Sequence, residues 1–132
     1  MSKSSGLFLA LVLVLGVSHA RAEQVRTVKK LPGYQCMVLA KQWNGEGPMP
    51  LPVYVYAGPQ ANAAQIGVAG GSVIVPDPVR PTDGRTQMIF ADGRTVWIAI
   101  DAIAPWHAVS NPSARCSPVL LSNGRYGFQT NH

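Results

Sequence analysis

The sequence predicts a small all-β protein, and three observations carry that reading. Glycine and proline interrupt the chain throughout: beyond residue 22 there are 11 of each in 110 residues. The longest later stretches free of both, Tyr34–Asn44 and Arg94–Ala104, run eleven residues each, too short for a long capped helix. The residues between these breaks are mostly β-branched and aromatic, which suits short strands. Finally, Asp92-Gly93 sits between two apolar runs, the strongest local signal for a tight hairpin.

Taken in order, residues 1–22 read as an export leader outside the fold. Lys3 supplies a positive start and Leu7–Val17 an apolar run of eleven residues, where a membrane span needs roughly 20. Ala20-Arg21-Ala22 follows as a cleavage site, with Ser18-His19-Ala20 as the alternative. Glu23 is the expected first residue of the mature chain, and no stable membrane anchor is expected. Localisation is expected to be periplasmic or secreted. Residues 23–50 form an amino-terminal extension, 51–105 the expected barrel, and 106–132 a carboxy-terminal extension.

Within the central part, Val53–Tyr56 reads as a strand ended by Gly58-Pro59. Gln60–Gln65 is polar or small and reads as a loop. Ile66–Val68 is a brief strand, and Val73–Val75 another, stopped by Pro76 and Pro78. A proline-rich loop covers Asp77–Gly84. Thr86–Ala91 and Arg94–Ile100 then flank Asp92-Gly93. A two-residue turn there pairs Phe90 with Thr95, Ile89 with Val96 and Met88 with Trp97. Facing residues share a side, so Ile89, Val96, Ile98 and Ile100 would line one face, and Met88, Phe90, Trp97 and Ala99 the other. Both faces are apolar, and a small barrel has one interior. The second face therefore needs a cover: the amino-terminal segment, the tail or a partner. In the tail, Val119–Leu121 is apolar and Ser122–Arg125 is a turn signal.

The two cysteines, Cys36 and Cys116, are expected to form one disulfide in an oxidising compartment. The mature part carries nine Lys or Arg against six Asp or Glu, a mild excess spread along the chain. A nucleic-acid footprint needs clustering, and only Lys29-Lys30 are adjacent, so no nucleic-acid partner is expected. No metal site is expected either, because His107 and His132 lie at no ligand spacing from a cysteine. No cofactor is expected.

Catalytic groups are also missing. There is no Gly-x-Ser-x-Gly motif. His107 has no evident partner, and both thiols are assigned to the bridge. Asp92, Asp77 and Asp83 are explained by turns and loops. The chain is therefore not expected to be an enzyme.

From Leu51 to Pro105 the order of motifs resembles the bacterial SH3-like domain family. Leu51–Pro59 looks like that family's opening strand and Gly-Pro turn. Ile66-Gly67 followed by Gly71–Val75 looks like its next section, and Asp92–Ile98 like its last hairpin. Ile103 and Pro105 fit the closing strand. The resemblance covers 55 residues and implies a five- to six-stranded barrel that binds cell-wall peptides, glycans or proteins.

The aromatic stock then suggests where binding occurs. Tyr54 and Tyr56 alternate with Val53 and Val55, so a strand that buries its valines turns its tyrosines outward. Together with Trp97, Trp106 and Arg94 they are the candidate binding residues. The expected partner is a cell-wall component or an envelope protein. The alternative is a structural or inhibitory protein that docks through its tail or a sheet edge.

Overall fold

The computed structural model describes residues 24–108 and 110–131; the leader lies outside them. Among the described residues, ten strands run in chain order. They are β1 (Thr27–Lys30), β2 (Tyr34–Leu39), β3 (Val53–Tyr56), β4 (Gln65–Ala69) and β5 (Ser72–Pro76), then β6 (Arg85–Ile89), β7 (Thr95–Ala99), β8 (Ile103–Pro105), β9 (Arg115–Leu121) and β10 (Tyr126–Asn131). One 3-10 turn, Ile100–Ala102, precedes β8. The protein is all-β, with every ladder antiparallel.

The strands form two sheets. The larger has seven strands in the order β4-β3-β7-β6-β5-β2-β8, and the smaller has three in the order β1-β9-β10. The larger sheet does not close, so the expected barrel is an open sheet. One end, β8, is three residues long and finishes on Pro105, whose nitrogen has no hydrogen to offer a further strand. The sheet also draws β2 from the amino-terminal segment. It is inserted between β5 and β8, with Tyr34 opposite Pro76 and Leu39 opposite Ile103.

The main core is Val55, Ala69, Val73, Val75, Met88, Val96 and Ile98. Alternation places them there: Val96 and Ile98 flank Trp97 on β7, and Val73 and Val75 flank Ile74 on β5. Ile74 points to the other face. It stands opposite Cys36 on β2 and Ile89 on β6 and is also buried. Cys36 is bonded to Cys116 on β9 across a Cα–Cα distance of 6.0 Å. The bridge holds the smaller sheet against this part of the larger one.

The β6–β7 hairpin corrects the expected register. Phe90 N donates to Arg94 O at 2.9 Å and Gly93 N to Phe90 O at 2.8 Å. The loop is therefore three residues, Ala91-Asp92-Gly93, with positive φ at Gly93 alone, the arrangement of a type I turn followed by a glycine bulge. The ladder slips by one residue: Met88 faces Val96, Ile89 faces Thr95, and Gln87 faces Trp97. A one-residue slip exchanges the faces. Thr86, Met88, Val96 and Ile98 now share the core side, while Arg85, Gln87, Ile89, Thr95 and Trp97 share the other.

Candidate binding face

The outer side of the larger sheet carries a row of side chains running across five strands. Tyr56 on β3 is opposite Trp97 on β7, and Trp97 is opposite Gln87 on β6. Continuing the β5–β6 register from Ile74–Ile89 by two residues puts Pro76 beside Gln87. Pro76 in turn is opposite Tyr34 on β2. With neighbouring strands about 4.8 Å apart, the row is an extended surface of aromatic rings, one amide and a proline.

A cleft of about 470 Å³ opens over this row, lined by Tyr34, Pro76, Gln87 and Trp97. Its rim is the loop between β5 and β6, which contributes Asp77, Pro78, Arg80 and Thr82. Two contacts set that rim. Asp77 N donates to Gly33 O at 2.9 Å, and Thr82 and Arg85 exchange backbone bonds of 2.7 and 3.0 Å. The loop then turns back through Asp83 and Gly84, both at positive φ. Trp97 is half-buried, and its indole N–H has no partner among the described residues. The cleft is thus lined by two aromatic side chains, a residue type suited to stacking, and by the polar side chains of Gln87, Arg80 and Asp77.

Tyr56 has a different role. The Arg85 guanidinium lies over its ring at 3.6 Å and donates to Gly58 O at 3.2 Å and Gln60 O at 2.7 Å. The ring face is occupied within the chain, and the stack secures the turn after β3. Tyr54 is exposed on the same strand, opposite Val68, and does not line the cleft. Arg94 is held at the hairpin turn by Asp92 at 2.7 Å and lies 5.3 Å from the Phe90 ring centroid. Trp106 lines a separate hollow beside the disulfide, with His107 and Pro112.

Of the five candidate residues, Tyr56 and Trp97 are therefore neighbours, Tyr54 lies further along the same face, and Arg94 and Trp106 stand elsewhere. Tyr34, Gln87 and Arg80 complete the cleft but were not singled out in the sequence. Tyr34 heads an aromatic-led, break-free segment, which was the available signal. A hollow of about 510 Å³ at the other end is lined mainly by prolines and aliphatic residues, including Met49, Leu51 and Val53. It has fewer hydrogen-bonding groups than the cleft. Searches against family models, curated proteins and solved structures find no match for this chain.

Proposed function

We propose that this chain is an exported SH3-like binding module, periplasmic or secreted, that recognises a cell-wall peptide or glycan or an envelope protein without chemical turnover. The observation that carries this reading is the cleft between Tyr34 and Trp97. Rigid aromatics flanking a polar centre suit sugar rings and extended peptides, where ring stacking supplies area and edge groups supply orientation. The Cys36–Cys116 bridge supports an oxidising location.

The test is co-sedimentation with purified peptidoglycan. The native protein is expected in the pellet, with retention reduced about tenfold or more by Trp97→Ala or Tyr34→Ala, as for aromatic hot spots. Arg94→Ala is expected to leave retention unchanged. Circular dichroism of each variant should match the native spectrum. Failure of the native protein to sediment overturns wall binding.

A second reading has its own support. Strand β4 is an open edge with no charge and no proline, and its Ile66 and Val68 are exposed. Such an edge is a template for an incoming strand. Recovery of one envelope protein, lost on Val68→Lys, would favour docking at that edge.

A further inference from the structure

The fold gathers charge that the sequence disperses. Segments 24–31 and 110–131, which hold the smaller sheet, carry Arg26, Lys29, Lys30, Arg115 and Arg125 and no Asp or Glu, with Glu23 immediately before them in the sequence. Segment 32–108, which holds the larger sheet, carries four Lys or Arg against five Asp or Glu. Four of the five cations sit together. Arg26, Lys29 and Lys30 lie on or beside β1, an edge strand exposed along its whole length. Arg26 is tied to the β9–β10 turn by its N–H to Ser122 Oγ at 3.0 Å and by Ser122 N to its carbonyl at 2.8 Å. Arg125 belongs to that same turn. Among the described residues the only ion pair is Arg94–Asp92, so no described carboxylate is within ion-pair distance of these four, and Arg125 has only a weaker attraction to Asp92.

Exposed apolar side chains accompany the charges: Val28 lies between Arg26 and Lys29, and Val25 precedes Arg26. Val25 is 51% exposed and Val28 57%. The ladder to β9 skips a residue between Thr27 and Lys29, which leaves Val28 without a cross-strand partner. We infer that this cationic edge docks the protein on an anionic lipid surface. The charge complementarity is direct, since unpaired basic residues are attracted to anionic headgroups within a Debye length. The exposed valines beside these cations favour lipid over a single anionic polymer. A headgroup layer is wide, and it admits small apolar side chains between the charges that it binds. Arg26, Lys29 and Arg125 line no part of the aromatic cleft, whereas Lys30 lines a neighbouring hollow that shares Gly33, Tyr34 and Asp77 with it; the inference does not depend on the function proposed for the cleft.

The experiment measures partition of the full protein onto vesicles of equal parts phosphatidylcholine and phosphatidylglycerol, with pure phosphatidylcholine vesicles as the neutral control. Partition is expected on the anionic vesicles only, and it should fall as salt is raised. Lys29→Ala and Lys30→Ala should each weaken it roughly fivefold, and Arg26→Ala with Arg125→Ala should weaken it further. Lys41→Ala, outside this edge, should have no effect. All these positions are exposed, and circular dichroism checks that each variant is folded. Equal partition on neutral vesicles overturns the inference. So does native-like partition of the Lys29→Ala/Lys30→Ala double variant, or binding of soluble polyphosphate with no partition on vesicles.

Discussion

The backbone of Gly93 lies directly against the ring of Tyr126: a Cβ at position 93 would stand 3.1 Å from Tyr126 Cε2. The same two segments are joined by Tyr126 N donating to Ala91 O at 2.8 Å. The hairpin turn of the larger sheet is thereby clamped to the first residue of β10 in the smaller one. The turn needs glycine for two reasons, its φ of 90° and this contact.

The two reasons can be separated by comparing Gly93→Ala with Gly124→Ala. Gly124 has a φ of 80° but nothing within 4 Å of its would-be Cβ. Alanine at positive φ costs about 1 kcal/mol, so that is the expected loss at position 124. At position 93 the loss is expected to be about 2 kcal/mol, because the Tyr126 ring must also move. Urea denaturation reads both. Equal losses would mean that the ring contact adds nothing.

Asp92 sets the pH response of the same turn. Its carboxyl is held below the ordinary carboxylate range, first by the Arg94 backbone N–H at 3.0 Å, then by the Arg94 side chain, with Arg125 adding a smaller attraction. A depressed folded-state pKa contributes stability that is present above the unfolded value and lost as pH falls through the folded value. Local opening of the turn is thus expected only in acid. Following the Asp92 carboxyl by NMR should show a midpoint below that of a free aspartate. Arg94→Ala should raise this midpoint only part of the way, because the backbone N–H remains. Full return to the ordinary value would show that the side chain is the main cause.

How far this hairpin was legible is instructive. Asp-Gly correctly marks a turn, yet it serves both a two-residue loop and the last two positions of a three-residue one. The choice falls to Asp92, which keeps negative φ while its side chain caps Arg94 N. That one-residue difference moves Met88 into the core and leaves Trp97 outside with Gln87. It also removes the apparent conflict of two apolar faces: one face is core, and part of the other lies beneath the disulfide-tied smaller sheet. Strands β3, β4 and β5 were legible because Gly and Pro bracket them closely. The place of β2 between β5 and β8 was not, since its pairing depends on segments about 40 and 70 residues away. Tyr34 therefore could not be connected to Trp97 before the sheet order was known, and neither could the cleft.

Thr86 offers a direct check of the corrected faces. It is fully buried opposite Ile98, and its hydroxyl makes only a long contact of 3.4 Å to Gln87 O. Thr86→Val keeps the branched shape and removes a poorly satisfied polar group. It is expected to leave stability unchanged or raise it by up to about 1 kcal/mol. Thr86→Ser deletes a buried methyl and should cost about 1 kcal/mol. Native-like stability of the serine variant in thermal melts would place residue 86 on the solvent side instead.

The bridge between Cys36 and Cys116 spans 80 residues of chain, and on the chain-entropy account it stabilises the fold by about 4.5 kcal/mol. It also has a local role, because it ties β9 of the smaller sheet directly to β2 of the larger one. Among the described residues, the backbone hydrogen bond joining the two sheets is Tyr126 N to Ala91 O. The core around Val55, Val75 and Ile98 lies on the opposite side of the larger sheet and needs neither sulfur. The paired variant Cys36→Ser/Cys116→Ser should therefore lose stability unevenly. Hydrogen exchange is expected to speed up most in β9 and β10, while amides of β5 and β7 keep the protection set by global unfolding. The same pattern should follow from adding reductant to the native protein. Uniform acceleration across both sheets would show that the two unfold as one unit, with the bridge acting only on the unfolded chain.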